Sequence, residues 1–122
     1  MESLQLATAI ARVLDKKKAG EVKVLKVRDL TVLADYFVIA TGTSTTHVKS
    51  LAEEVEFQLD QQGVKPLRTE GYDSKNWILL DYGEVIVHVF YPEARRFYDL
   101  EHLWADAEEC QVEFETSETD AQ

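Results

Sequence analysis

The sequence YFVIATGTSTT at residues 36–46 decides the fold. Its first five residues are apolar without alternation, which is typical of a central strand that is covered on both faces. Gly42 and the polar residues that follow it at 43–46 end the strand. They also begin a predicted helix that ends at Gly63. The apolar stripe of this helix repeats at helical spacing, in Val48, Leu51, Ala52, Val55 and Leu59. A buried strand that leads into a helix through a glycine turn indicates an α/β domain.

Further elements are predicted on both sides of this unit. Two apolar segments at 77–80 and 84–90 flank a short turn and predict a hairpin. The turn contains Gly83, which can adopt the positive φ that a short turn needs. Pro66 places one strand at an edge of the sheet, because proline cannot donate to the hydrogen-bond ladder. Periodicity predicts a helix at 3–18, strands at 22–27 and 64–69, a hairpin at 77–90 and a helix that begins at Pro92. The order αββαβββα predicts one α/β domain with a mixed β-sheet flanked by helices.

The charge of the chain restricts its partners. The 122 residues carry a formal charge of −10, and 45% of them are hydrophobic, which fits one globular domain. An acidic balance argues against binding nucleic acid through its phosphates and favours basic partners. Residues 106–122 contain seven acids and no base. We therefore predict a folded domain at 1–107 and an acidic, disordered tail at 108–122.

Sequence motifs for catalysis or cofactor binding are missing. The chain contains no D-x-D pair of metal-binding acids, no G-x-G-x-x-G and no histidine pair at helical spacing. We therefore predict no catalytic residue, no cofactor and no metal. His88, in an apolar strand, is expected to be a hydrogen-bonded core or rim histidine, not a metal ligand or a base. Cys110 is the only cysteine, and its acidic neighbours are expected to raise the pKa of its thiol.

Cysteine usage and hydropathy together give an expectation about location. A single cysteine forms no internal disulfide, which fits a reducing compartment. The N-terminus lacks a basic-then-apolar leader pattern, and no apolar run reaches the 18 or so residues of a membrane span. We therefore expect a cytoplasmic protein that does not act on membranes.

Three blocks of the sequence resemble the signatures of the Iojap family, also called ribosomal silencing factors. The first block is ADYFVIATGTS at 34–44, the second combines EG at 70–71, WILLDYG at 77–83 and VHVF at 87–90, and the third is EARRFYDLEHLW at 93–104. The resemblance implies a fold similar to nucleotidyltransferases but without their catalytic acids. It also implies binding to the large ribosomal subunit through its protein L-fourteen. Members of the family thereby block joining of the small subunit and lower translation when nutrients are short.

Aromatic residues provide candidates for the contact surface. Eight of the twelve aromatic residues lie between residues 72 and 104. Aromatic side chains beside arginines are common anchors of protein interfaces. We expect a partner-binding patch on the hairpin and the last helix, formed by Trp77, Leu80, Asp81, Tyr82, Arg95, Tyr98, Glu101 and Trp104. In this patch Asp81 and Glu101 would meet basic groups of the partner, and no chemical reaction is needed.

Two alternatives stay open at this point. The chain could be a small metal-dependent nucleotidyltransferase that uses the turn at Gly42–Ser44 and either Asp35 or Asp81. It could also be a homodimeric adaptor without a ribosomal role, because exposed aromatic side chains permit self-association as readily as partner binding. A homodimer of the free protein is compatible with the silencing function as well.

Overall fold

The computed structural model describes residues 1–114 of the chain. Its elements are α1 (Ser3–Lys16), β1 (Gly20–Lys26), β2 (Tyr36–Thr41), α2 (Thr45–Asp60), β3 (Arg68–Glu70), β4 (Trp77–Asp81), β5 (Val85–Phe90), α3 (Pro92–Tyr98), α4 (Leu100–Leu103) and β6 (Glu108–Cys110). They form a single α/β domain, as the periodicity predicts.

The strands form one mixed sheet with the order β3-β4-β5-β2-β1-β6. Strands β2 and β5 run parallel, with Tyr36 opposite Val85 and Thr41 opposite Phe90, and every other pair is antiparallel. The prediction that the run at 36–40 is a central strand is confirmed, since all five of its residues are buried. A parallel pair needs a long crossover, and α2 lies within that crossover.

Helices α1 and α2 cover the first face of the sheet. Because side chains alternate along a strand, Tyr36, Val38 and Ala40 of β2 point to this face. The apolar stripes of the two helices pack against them. The largest fully buried side chains of this layer are Ile10, Leu14, Leu51, Leu59, Ile78 and Leu80. This layer is the main hydrophobic core.

The second face of the sheet is covered only in part, by the short helices α3 and α4. Phe37 and Ile39 of β2 pack there with Phe90 of β5 and Ala94 of α3. Nearer to β3 and β4, the side chains of this face stay partly exposed to solvent. The fold therefore leaves an apolar sheet surface that can contact another molecule.

The turn between β2 and α2 requires a glycine for steric reasons. A Cβ atom on Gly42 would lie 2.8 Å from the backbone nitrogen of Val48. Ser44 then caps the helix, since its Oγ accepts the backbone N–H of His47 at 3.0 Å. In the hairpin, Gly83 has a φ of +87°, which confirms the prediction for that turn.

Two segments show the largest differences between the predicted and the observed boundaries. The edge strand predicted at 64–69 is only Arg68–Glu70. The N–H of Val64 bonds back to the carbonyl of Leu59 at the end of α2, and Pro66 has no N–H to donate to the sheet. The boundary between domain and tail at residue 107 is wrong: Glu108–Cys110 pairs antiparallel with β1, and Val112 and Phe114 pack against the main core. The remainder of the predicted tail, residues 115–122, lies outside the described residues.

Candidate protein-binding surface

Four side chains on the second face of the sheet form a continuous, half-buried surface. Trp77, Leu79 and Asp81 alternate along β4, and Ile86 lies directly opposite Asp81 on β5. Tyr98 at the end of α3 extends this surface, with 49% of its area exposed. We call these five residues the open face. The surface is apolar and aromatic with one carboxylate, which is a common composition for a protein interface.

Trp77 is the centre of the open face. The centroid of its ring lies 4.7 Å from that of Tyr98 and 5.0 Å from that of Phe90. Its indole Nε1–H donates to Nδ1 of His88 at 3.1 Å. The indole is therefore fixed on two sides, while part of its surface remains accessible. Such a pre-ordered aromatic side chain loses little conformational entropy when a partner binds.

His88 lies beneath Trp77 and is a core histidine, as predicted. Only 5% of its surface is exposed, and its ring meets Phe37 edge-on at 4.9 Å. Burial lowers the pKa of His88 to about 4, because desolvation disfavours the imidazolium. At neutral pH the ring is therefore uncharged, and it can accept the indole N–H through Nδ1.

Asp81 belongs to the open face but already has partners inside the protein. Its Oδ1 accepts the backbone N–H of Gly83 at 2.8 Å, and its Oδ2 accepts Nε–H of Arg68 at 3.2 Å. The first bond stabilises the hairpin turn. The side chain of Arg68 is 60% exposed, so this ion pair is at the surface and can exchange for a partner's basic group.

Arg95 and Glu101 form an internal ion pair, which corrects the expectation that Arg95 is a contact residue. The guanidinium donates to Glu101 through Nε and Nη2, and through Nη1 to the carbonyl of Glu21 at 2.8 Å and to Oγ1 of Thr41 at 2.7 Å. Arg95 is buried, because these acceptors surround it on α4, β1 and β2. The hydrogen bonds from Arg95 lower the pKa of Glu101. Lys23 also lies 3.3 Å from this carboxylate, so the pair ties α3 and α4 to the sheet.

Three further members of the predicted patch lie away from the open face. Leu80 is completely buried in the main core, because its side chain points to the opposite side of β4 from Trp77 and offers a partner no surface. Tyr82 also packs on the first face, and burial raises the pKa of its hydroxyl. Trp104, at the end of α4, is half-buried and meets Phe37 edge-on at 5.3 Å, so it packs on the second face beside α4.

Leu79 and Ile86 belong to this surface, although neither is among the residues predicted for it. The signal for Leu79 was present, because residues 77, 79 and 81 of one strand must share a face, whereas residue 80 cannot. Ile86 requires the pairing register of the hairpin, which places it opposite Asp81.

The turn at Gly42–Ser44 does not resemble an open phosphate site. The backbone N–H of Thr43 donates to Nδ1 of His47 at 2.9 Å, and that of His47 donates to Ser44. Nε2 of His47 bonds the carbonyl of Lys17 at 2.9 Å. Two backbone N–H groups of this turn, those of Thr43 and His47, are thus used within the protein and are not available to a phosphate.

The acids proposed for the nucleotidyltransferase alternative lie far from that turn. Asp35 and Asp81 flank the start of β5, whereas Gly42 bonds the carbonyl of Phe90 at its end. The two ends of β5, Val85 and Phe90, are five residue steps apart, or about 17 Å. Residues 1–114 contain no group of three metal-ligating side chains that could hold an ion. In the same range, no helix is long and apolar enough to cross a membrane.

A small α/β domain that presents a fixed, partly exposed aromatic surface is typical of proteins that bind other proteins. The family model described as "Ribosomal silencing factor during starvation" matches residues 1–122. The chain belongs to the ribosomal silencing factor family, so the resemblance of the three sequence blocks is confirmed.

Individual relatives agree with this assignment. Ribosomal silencing factor RsfS of Halalkalibacterium halodurans is 39% identical over 112 residues, which cover 92% of this chain and 93% of the relative. The chloroplastic protein Iojap of Arabidopsis thaliana is 35% identical, over 93% of this chain and 48% of the relative. A crystal structure of a protein from Chromobacterium violaceum superposes with a TM-score of 0.83 at 36% identity, covering 86% of this chain and 88% of that one.

Proposed function

We propose that this protein binds the large ribosomal subunit through ribosomal protein L-fourteen and blocks joining of the small subunit. The open face is the contact surface in this proposal. The observation that carries it is the partly exposed indole of Trp77, which is fixed by Tyr98 and His88 on a partly covered face of the sheet. Fixed, partly exposed aromatic side chains are frequent hot spots of protein interfaces.

The mechanism is steric and needs no catalytic group. A protein bound at the face where the two subunits meet excludes the small subunit by its volume alone. A stable contact of this kind buries about 800 Å² per partner. The five residues of the open face form the centre of such an area, and Arg68 and Glu70 of β3 lie beside it as an exposed polar rim.

The charge of the chain supports a protein partner within the ribosome. A formal charge of −10 disfavours direct binding to ribosomal RNA, whose phosphates repel it. Ribosomal proteins are mostly basic, so an acidic binder is attracted to them and is guided into the correct orientation. The proposal includes that this binding occurs in the cytoplasm and represses translation when nutrients are limited.

A pair of matched variants tests the proposed surface. Trp77→Ala removes the centre of the open face, whereas Phe57→Ala removes a 57% exposed aromatic ring from α2, on the opposite side of the sheet. We expect Trp77→Ala to weaken co-sedimentation with purified large subunits at least about fivefold, or about 1 kcal/mol. Phe57→Ala should bind as the unchanged protein does. Equal binding by all three folded proteins would reject the open face.

Self-association of the free protein is a second proposal, and the same surface favours it. Leu79, Ile86 and Tyr98 leave apolar area in contact with water, and a second copy of the chain could cover it. Sedimentation velocity over a hundredfold concentration range measures this directly. A monomer at every concentration would contradict it without affecting the ribosomal proposal.

A further inference from the structure

The orientation of the Trp77 indole is set by a hydrogen bond that points into the protein. Trp77 lies opposite Phe90 on the paired strand, and its Nε1–H reaches diagonally to Nδ1 of His88 at 3.1 Å. A tryptophan at a wet surface can donate this N–H to water or to a partner. Here the donor is used inside the molecule, so the accessible part of the ring consists of carbon.

The ring of His88 is held in place by aromatic neighbours. Phe37 meets it edge-on at 4.9 Å, Phe90 is stacked beside it at 6.2 Å, and the indole is tilted over it at 5.9 Å. These contacts leave 5% of the residue exposed. The imidazole therefore has little freedom to turn away from Trp77.

The tautomer of His88 follows from this hydrogen bond. An indole N–H can donate only to an unprotonated nitrogen, so Nδ1 carries the lone pair and Nε2 carries the proton. Nε2 is buried and has no hydrogen-bond partner among residues 1–114. A buried polar atom without a partner destabilises a fold and is rare in native proteins. An apolar residue at this position would avoid that loss of stability, but it could not accept the indole N–H of Trp77. The acceptor Nδ1 is therefore what the histidine contributes here.

We propose that His88 is a positioning residue for Trp77: its neutral ring holds the indole N–H inward and presents the carbon edge of the indole to the binding partner. The group that meets Trp77 is then an aliphatic side chain or the stem of a basic one, not a hydrogen-bond acceptor. The part that concerns binding rests on the proposed function of the open face. The part that concerns the orientation of Trp77 does not.

Two substitutions separate the acceptor from the volume of His88. His88→Asn keeps a side-chain oxygen near the position of Nδ1, whereas His88→Leu fills similar space without an acceptor. The indole N–H signals of the two tryptophans are resolved in a ¹H–¹⁵N spectrum and assigned with Trp104→Phe. We expect solvent exchange of the Trp77 N–H to accelerate at least about tenfold in His88→Leu and to recover in His88→Asn. Binding to large subunits should fall at least about fivefold in His88→Leu and recover in His88→Asn.

A measurement on the unchanged protein keeps the proposal testable if either variant fails to fold. Long-range ¹H–¹⁵N correlation of the histidine rings at pH 7 should show an unprotonated Nδ1 and a protonated Nε2 for His88. The opposite tautomer would overturn the proposal. It would also be overturned if exchange of the Trp77 N–H were the same in His88→Leu as in the unchanged protein.

The outcomes of the binding arm distinguish this proposal from the proposed function. If Trp77→Ala weakens subunit binding and His88→Leu does not, the orientation of the indole is irrelevant and the positioning role is rejected. If neither variant changes binding although the Trp77 signal responds as expected, the open face is not the ribosomal contact. In that case the hydrogen-bond control of Trp77 stands and the proposed function is the part that fails.

Discussion

Replacing Arg95 by methionine should destabilise the domain strongly, although arginine on a short helix is commonly a surface residue. Methionine keeps the length and most of the apolar stem of the side chain but removes the guanidinium. Four hydrogen bonds are lost, two to the carboxylate of Glu101 and one each to the Glu21 carbonyl and to Oγ1 of Thr41. The change therefore tests whether α3 and α4 are held on the sheet by this cluster.

The size of the effect follows from the burial of the two charges. Removing one partner of a buried ion pair commonly costs about 3–5 kcal/mol, since the other charge is left without compensation. Glu101 keeps 27% of its side-chain area in water and retains Lys23 at 3.3 Å, so its charge stays partly compensated. The lower end of the range applies, and we expect a loss of about 3 kcal/mol. For a chain of this size, that loss lowers the melting temperature by about 12 °C.

Urea unfolding followed by circular dichroism measures this loss, and the neighbouring arginine provides the control. Arg96 is exposed, so Arg96→Met should change the free energy of unfolding by no more than about 0.5 kcal/mol. Arg95→Lys keeps the charge without the planar fork and should fall between the two. If Arg95→Met is no less stable than Arg96→Met, the buried cluster does not hold α3 and α4, and the reasoning is refuted.

Three other changes should affect stability in predictable directions. Burial lowers the pKa of His88 from 6.5 to about 4, so between these pH values the unfolded chain binds a proton that the folded protein does not. The free energy of unfolding should therefore fall by up to about 3 kcal/mol as the pH drops from 6.5 to 4. A urea titration in which His88→Leu shows the same pH slope would contradict this. Gly42→Ala should cost more than about 2 kcal/mol, because its Cβ meets backbone at 2.8 Å, whereas Gly20→Ala, whose nearest contact is 3.8 Å, should be close to neutral in the same assay. Ending the chain after Ala107 should lower the melting temperature relative to ending it after Phe114, since only the longer form keeps β6 and its packing on the core; equal melting temperatures would argue against a structural role for β6.

The central part of the fold is predictable because local pattern and tertiary environment agree there. An apolar run, a turn glycine and a helical stripe each point to the same strand–turn–helix unit, and Tyr36–Thr41 and Thr45–Asp60 follow it closely. The hairpin is equally predictable, since Gly83 supplies the positive φ between two apolar strands. Pairing partners are harder to predict, because β2 pairs with β5, some fifty residues further along the chain.

The errors at the candidate site have separate physical causes. The sequence analysis places Leu80 in the same patch as Trp77 and Asp81, although residue 80 of the strand faces the opposite side from residues 77, 79 and 81. The burial of Arg95 is not predictable from local sequence. Two of its acceptors lie 74 and 54 residues away in sequence, where no local pattern reveals them. The strand β6 was missed because acids dominate its composition. Alternation of Cys110, Val112 and Phe114 was nevertheless present and places all three against the core.

The most direct measurement of the proposed role is a subunit-joining assay with purified large and small ribosomal subunits, read by light scattering. Steric exclusion predicts that the protein lowers the amplitude of joining in proportion to its dose, with saturation at one molecule per large subunit. Trp77→Ala should need at least about a fivefold higher dose for the same effect. If joining is undiminished at the highest dose, whether or not the protein is found on the large subunit, the proposal that this domain acts by occupying the subunit interface is contradicted.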